Sequence, residues 1–235
     1  MSSLAIIPAR GGSVRIPGKN KKPFLGKPII LYSIEAALTS GIFDEVMVST
    51  DDHEIAAISK EHGANVPFLR SSKTSDNYST LADVLIEVLS EYKELNREFD
   101  TVCCLLPTAP FVSSDKLKEA FDLLIREGFD AIFPVVEFSF PIQRSLELHN
   151  AGKVKMVWPE YLSARSQDLP ARFHDAGQFY FLKKSAFLKE KKLYVNNAGS
   201  IVYSALQVQD IDSEVDWKLA EIKFKLLKDE EENIF

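Results

Sequence analysis

The sequence predicts a doubly wound α/β fold on a mostly parallel sheet, and three observations point to it. Up to residue 136, short apolar runs alternate with longer segments whose apolar residues recur at helical spacing. Each longer segment carries charges opposite its apolar stripe, as a helix covering one face of a sheet must. The first apolar run leads straight into a loop rich in glycine and cations, and ligands of such sheets bind beyond the carboxyl ends of the strands.

In chain order, apolar runs predict strands at 5–8, 45–49, 66–69, 101–106 and 131–136, and helical periodicity predicts helices at 29–39, 53–62, 81–92 and 115–126. The second half is less regular. Residues 146–158 alternate apolar with polar around a turn containing Asn150 and Gly152, which predicts a β-hairpin projecting from the main sheet. Segments 173–181 and 205–209 supply further strands, 214–227 a closing helix and 228–233 a solvated tail. No repeat or low-complexity linker interrupts the chain, so 1–235 reads as a single domain.

A chain of 235 residues can bury a sizeable core, and 46% apolar with 26% charged residues is ordinary for a globular protein. The net charge of −6 argues against a general nucleic-acid surface, which is usually basic, so the expected ligand is a small anion met locally. Met1-Ser2-Ser3 runs directly into the first strand without a charged and apolar leader, and no apolar run nears the roughly 20 residues of a membrane helix. No membrane partner is expected, and the cytoplasm is the expected location. Cys103 and Cys104 are neighbours in an apolar run and read as buried strand residues, not as a disulfide, metal or redox pair.

The loop after the first strand is Ala9-Arg10-Gly11-Gly12-Ser13-Val14-Arg15-Ile16-Pro17-Gly18-Lys19-Asn20. Its glycines let backbone N–H groups approach a polyphosphate with no Cβ in the way, while Arg10, Arg15 and Lys19 bring positive charge. A dinucleotide fingerprint needs Gly-x-Gly-x-x-Gly with a helix starting inside it, but here two glycines are adjacent and Pro17 interrupts. A Walker A loop fails too, because five residues separate Gly12 from Gly18 and Asn20 stands where Ser or Thr is required.

Ala9, Arg10, Gly11, Gly12, Ser13, Lys19 and Asn20 instead resemble the opening signature of the sugar nucleotidyltransferases. Further segments follow in order: Val48-Ser49-Thr50-Asp51-Asp52, Pro107-Thr108-Ala109-Pro110, Phe138-Ser139-Phe140-Pro141-Ile142-Gln143-Arg144, Arg165-Ser166-Gln167-Asp168-Leu169-Pro170, His174-Asp175-Ala176-Gly177-Gln178-Phe179-Tyr180 and Gln209-Asp210-Ile211-Asp212. With them the chain resembles, over almost its whole length, the CMP-nonulosonic acid synthetases (acylneuraminate cytidylyltransferases), most closely the branch acting on pseudaminic acid. The resemblance implies a Rossmann-like nucleotidyltransferase sheet with a small β-hairpin dimerisation lobe at approximately 137–172. It further implies a homodimer in which that lobe reaches the neighbouring active site, and Mg²⁺ as cofactor. The implied reaction joins CTP and an acidic nine-carbon sugar, pseudaminic acid first, into the CMP-sugar and pyrophosphate by in-line attack of the anomeric hydroxyl on the α-phosphorus. Competing readings are the same chemistry on sialic, legionaminic or deoxyoctulosonic acid, and a low-activity nucleotide-binding module.

Arg10 and Lys19 suit neutralisation of phosphoryl oxygens, Arg as a planar fork and Lys as a compact charge able to follow the leaving group. Gly11, Gly12, Ser13 and Asn20 complete the nucleotide loop, and by resemblance Arg70, Asp76 and Thr80 join it, Thr80 also fitting a helix N-cap. Asp210-Ile211-Asp212 is the expected metal step. On a strand, residues two apart share a face, so two carboxylates stand together with an apolar anchor behind, which suits Mg²⁺. Asp212 also joins Arg10 and Lys19 in the catalytic set. Helix capping is the other reading of these aspartates, and Ser213 with Asp216 has capping-box spacing. For the sugar, the resemblance points to Gln143, Arg144, Arg165, Gln167, Gln178 and Tyr180, with Arg165 best suited to a carboxylate by its bidentate geometry. A polar surface or subunit interface is the alternative for these residues.

The chain departs from the family pattern in three places. Val14 stands where Lys is usual, with Arg15 at hand to compensate, and Leu106 stands where many relatives carry Gln before the Pro-Thr step. Asp175-Ala176-Gly177 replaces the Asn-Gly-Ala of sialic acid enzymes and tilts the substrate away from N-acetylneuraminic acid. His174 beside Asp175 reads as a hydrogen-bonded structural histidine.

Overall fold

The computed structural model describes residues 1–232, and its first half shows the expected alternation of strands and helices. β1 (Ser3–Pro8) is buried along its length, and its side chains divide by parity: Ala5 and Ile7 pack on one face of the sheet, Leu4 and Ile6 on the other. A short ladder of β2 (Pro23–Phe24) and β3 (Lys27–Pro28) precedes α1 (Ile30–Ser40), which Gly41 stops in the left-handed conformation at φ 65°. Then come β4 (Glu45–Ser49), α2 (His53–Glu61), α3 (Leu81–Glu94), β5 (Thr101–Leu105), α4 (Ser114–Arg126) and β6 (Ala131–Glu137). Local chemistry starts three of these helices. The Asp52 carboxylate accepts from the Glu54 and Ile55 N–H groups, Thr80 and Asp83 close a reciprocal capping box, and the Ser113 hydroxyl accepts from the Lys116 N–H.

Beyond β6 lie the hairpin of β7 (Leu146–Leu148) and β8 (Val154–Met156), then β9 (Phe173–Asp175), β10 (Phe179–Lys183), α5 (Lys184–Glu190), β11 (Ala198–Tyr203) and α6 (Glu214–Glu232). The hairpin forms its own two-stranded sheet, apart from a seven-stranded one ordered β11-β6-β10-β5-β1-β4 with β9 also on β6. That main sheet is mixed, which corrects the expectation of a mostly parallel one. β1 runs parallel to β4 and β5, and β11 parallel to β6, but β10 is antiparallel to both β5 and β6 and β9 is antiparallel to β6. The connection explains this. The chain returns from β6 through the hairpin segment and β9 rather than through a helical crossover, which a parallel neighbour would need.

Four local expectations are also corrected. No strand forms at 66–69: Asn65 bridges Met47, donating to the Val46 carbonyl and accepting from Val48, and the next donor of that ladder falls on Pro67, which has no N–H. Residues 205–209 hold a 3₁₀ turn at Ala205–Gln207, closed by a Ser204–Gln207 capping box, while the strand lies just before it as β11. The 173–181 stretch is two strands, β9 and β10, broken where Gly177 takes φ 61°. Residues 228–232 continue α6 instead of forming a tail, and Asn233 of that expected tail lies outside the described residues.

Three apolar clusters hold these elements. Two cover opposite faces of the main sheet, and buried Cys103 and Cys104 point one to each. Burial pushes both thiols up, Cys104 to about 12, so neither is a thiolate at neutral pH. The third cluster joins Ile16, Phe24, Ile29 and Phe111 to Ile211 and to Trp217 and Ala220 of α6. It fastens the N-terminal loop to the segment before the last helix. Among the described residues, no helix is long and apolar enough to cross a membrane.

Candidate active site

The loop after β1 is built at the carboxyl ends of β1 and β4. The Ala9 N–H donates to the Ser49 carbonyl at 2.9 Å, and the Gly11 N–H to the Asp51 carboxylate at 2.9 Å. Gly11 is required by a close approach, since a Cβ there would lie 2.9 Å from the Asp52 Cβ and Oδ2. Gly18 turns the chain at φ 62° into a 3₁₀ turn, Lys19–Lys21. Buried Asn20 donates from Nδ2 to the Arg10 carbonyl at 2.9 Å and so pins the two ends of the loop together. The result is a cleft of roughly 170 Å³ lined by Arg10, Ser13, Arg15, Lys19 and Asn20, with Leu106 and Thr108 on the opposite wall. Gly12 borders open space, and Val14 is 72% exposed.

The Asp210–Asp212 segment comes to this cleft from 192 residues further along the chain, where the Lys19 ammonium donates to the Ile211 carbonyl at 2.6 Å. Lys19 Nζ also lies 3.6 Å from Asp212 Oδ1, while Arg15 Nη1 is 2.6 Å from Asp212 Oδ2. The segment is a loop, not the expected strand, so the shared-face argument does not apply. What anchors the segment at the loop is the residue between the two aspartates: Ile211 is fully buried in the cluster that also holds Ile16. The next turn adds a cap, for Asp216 Oδ2 accepts from the N–H groups of Asp212 at 3.1 Å and Ser213 at 2.7 Å. Ser213 Oγ accepts from the Asp216 N–H at 3.3 Å, so the capping box is present beside the Asp210–Asp212 pair rather than in place of it.

Electrostatics agree with the geometry. Burial lowers the Lys19 pKa, with Asp212 and Asp210 opposing the shift. Burial and then the neighbouring Asp212 raise the Asp210 carboxyl above the usual carboxylate range, against the pull of Lys19. The two aspartates therefore lie within electrostatic reach of one another. Two hard oxygen donors fit Mg²⁺, which takes one or two carboxylates with waters and substrate phosphates, and no cluster of three ligating side chains occurs among the described residues.

The other nucleotide candidates divide. Arg10 Nη1 donates to the Asp76 carbonyl at 2.5 Å and to Asn77 Oδ1 at 2.8 Å, which brings the 76–80 turn to the cleft. The Asp76 carboxylate itself accepts from Tyr78 N–H, Ser79 N–H and Ser79 Oγ, and Thr80 caps α3. Arg70 is buried, its guanidinium bonded to the Ser49 hydroxyl at 3.0 Å and to the Ser49 carbonyl, and burial pulls its pKa down to about 10. It props the end of β4 from behind the loop.

The sugar candidates form two groups. Gln143, Arg144, Arg165 and Gln167 lie on the hairpin segment and line neither the loop cleft nor the cavity beside Asp210. Gln143 is buried and donates to the Pro170 carbonyl at 3.0 Å, Arg144 donates to Ser166 Oγ at 3.1 Å, and Arg165 makes a two-point pair with Asp168 at 2.6 and 3.1 Å. Tyr180 belongs to β10 of the main sheet, and Gln178 immediately precedes that strand. Gln178 is buried with Nε2 on the Gln207 carbonyl at 2.7 Å, and the Tyr180 and Tyr194 hydroxyls both donate to Asp175 Oδ2. His174 bonds the Asp175 carbonyl through Nδ1 and packs on Phe138 with ring centres 4.7 Å apart, in keeping with a structural role.

Sequence reasoning counted Arg15 among the loop cations without a role of its own, and gave Asp51 and Thr108 no place in the site beyond the family segments. Asp51 follows β4 directly, so the rule that ligands gather at the carboxyl ends of strands is the signal that would have found it. A second cavity of about 420 Å³ adjoins Asp210, bounded by Glu137, His174, Asp175 and Lys223, whose ammonium donates to the Ala205 and Val208 carbonyls at 2.9 and 2.8 Å.

The chain is similar to known proteins. The chain is 42% identical over 226 residues to a pseudaminic acid cytidylyltransferase of Campylobacter jejuni, covering 96% of this chain and 97% of that one. It is 31% identical over 228 residues to a CMP-N,N'-diacetyllegionaminic acid synthase of Legionella pneumophila, covering 94% and 95%. A solved CMP:2-keto-3-deoxy-manno-octonic acid synthetase complexed with CTP superposes with a TM-score of 0.69 over 97% of this chain and 100% of its own, at 17% identity, a likeness of fold. The sequence pattern described as Cytidylyltransferase matches residues 4–234, and this chain belongs to that family.

Proposed function

We propose that this chain is a CMP-sugar synthetase that joins CTP and a nonulosonic acid, pseudaminic acid first among them, into the CMP-sugar and pyrophosphate. The observation that carries the reading is the meeting of the cationic loop with the Asp210–Asp212 segment through Lys19 and Arg15. The names of relatives at 42% and 41% identity supply the sugar.

In this reading the loop amides and Arg10 hold the triphosphate, and Lys19, fixed on the Ile211 carbonyl, faces the oxygens on which charge grows as pyrophosphate leaves. Their fixed placement lines up the anomeric hydroxyl with the α-phosphorus, so that positioning supplies much of the rate. Mg²⁺ held by Asp210 and Asp212 would add charge neutralisation at the phosphoryl oxygens. Leu106 closes the cleft with an apolar wall, and its carbonyl is held by Ser33 Oγ at 2.7 Å.

The hairpin segment at about 137–172 acts as the dimerisation lobe of a single-domain protein, supported by the exposed side chains of Phe140, Leu146, Leu148, Val154 and Leu162. Across such a dimer Gln143, Arg144, Arg165 and Gln167 would face the neighbouring cleft. The enzyme works in the cytoplasm, where CTP is made.

The test is pyrophosphate release from CTP with pseudaminic, N-acetylneuraminic, legionaminic and deoxyoctulosonic acids, with and without Mg²⁺. Release is expected with pseudaminic acid and Mg²⁺, and Asp212→Ala should lower it by roughly a hundredfold or more. Release with another acid alone reassigns the sugar. CTP binding without release for any acid would leave a nucleotide-binding module, and full Mg²⁺-dependent activity in Asp212→Ala would sink the metal assignment.

A further inference from the structure

We propose that Arg15 is an exchangeable counter-ion of the cleft: it pairs with Asp212 while no ligand is bound and moves onto the triphosphate when CTP and the divalent cation enter. The inference rests on the cytidylyltransferase reading of this cleft and concerns the one loop cation to which that reading gives no separate step.

The three loop cations are held in different ways. Arg10 donates to uncharged oxygens, the Asp76 carbonyl and Asn77 Oδ1. Lys19 is largely buried and is anchored on the Ile211 carbonyl at 2.6 Å, with side-chain exposure of 17%. Arg15 alone of the three is held by a direct charge–charge hydrogen bond, 2.6 Å to Asp212 Oδ2, with side chains 68% and 38% exposed. Asp212 thus has one oxygen facing each of two cations. A divalent cation taking that carboxylate meets two like charges, and one must give way. Lys19 is fixed by burial and by its carbonyl, whereas an exposed ion pair on a long side chain is worth little and breaks readily. Arg15 is therefore the group that leaves.

The released guanidinium stays in the same cleft, which it lines with Arg10, Ser13 and Lys19. Beside it, exposed Val14 offers no charge. The planar fork that fits a carboxylate fits a phosphate equally well, so the exchange costs Arg15 little and gives the triphosphate a third cation.

Arg15→Gln and Arg15→Lys test this in two titrations without sugar. Mn²⁺ alone is followed by electron paramagnetic resonance in the ligand-free protein, and CTP by calorimetry. Arg15→Gln should bind Mn²⁺ alone about two- to fivefold more tightly, since its competitor for Asp212 is gone. It should bind CTP roughly tenfold more weakly, with Arg15→Lys between it and the parent in both. A residue that merely braced the loop would weaken both ligands. Loss of both, no change in either, or no Mn²⁺ binding by parent and variants alike overturns the exchange. Failure of the parent protein to bind CTP strikes the cytidylyltransferase reading itself, and is distinguishable because it needs no variant.

Discussion

Lys116 of α4 shows how much one buried cation can reveal. Its ammonium lies 4.1 Å from the centre of the Tyr203 ring and 3.5 Å from the Phe111 carbonyl, and burial lowers its pKa to about 8, with Glu119 opposing. The unfolded chain keeps the ordinary value of 10.5, so between about 8 and 10.5 the unfolded state binds more protons and stability rises with pH. Below that window the burial penalty is present in full. Lys116→Met should therefore stabilise the protein by about 1 kcal/mol at neutral pH, with the gain shrinking as pH passes through the window. Urea unfolding on both sides of the window measures it, and a pH-independent difference would contradict the assignment. Lys116 was invisible in the sequence because its helix position lies among charged neighbours, and only the fold sets Tyr203 above it. Lys19 was legible, because the glycines that share its loop already point to an anion. Arg165 was legible by type only: the geometry that suits a carboxylate is used here on Asp168.

At the scale of elements, the loop after β1 and the start of α2 depend on each other. Asp52 caps α2 and also receives Lys21 at 3.4 Å, and Gly11 passes so close to it that no Cβ fits. Gly11→Ala should cost about 1–3 kcal/mol through forced displacement of this cap, and should weaken CTP binding as the loop shifts. Gly12→Ala is the control, since its Cβ would meet nothing within 4 Å and stability should hold. Thermal unfolding of the pair decides it, and equal losses would place the constraint elsewhere. The Thr80 cap and the Ser213–Asp216 box were legible because capping is local chemistry, whereas the caps at Asp52 and Ser113 were seen only in the structure. The 66–69 strand was misread because apolar character outweighed one missing donor, Pro67. The strand argument for the Asp210–Asp212 step did not apply. The segment is a loop, and the burial of Ile211 brings it to the cationic loop.

For the whole molecule, the hairpin of β7 and β8 leaves apolar side chains in water that a single chain does not cover, Leu148 being 79% exposed. If the lobe pairs two copies, Leu148→Glu should shift the protein from dimer to monomer in sedimentation velocity, because a charge at the centre of an apolar contact has no partner there. An unchanged dimer would remove the lobe from the interface. The alternation of strands and helices, the caps at Thr80 and Ser213, the cationic loop and the family segments could be read from sequence, since each depends on neighbours within a turn or two of chain. Only the tertiary structure decided the antiparallel insertion of β10, the union of Arg15 and Lys19 with Asp212, and the separation of the lobe residues from the cleft. Those depend on contacts between segments far apart in the chain, as when Ile16 and Ile211 are buried in one apolar cluster, and no local pattern encodes which distant partner a buried face will meet.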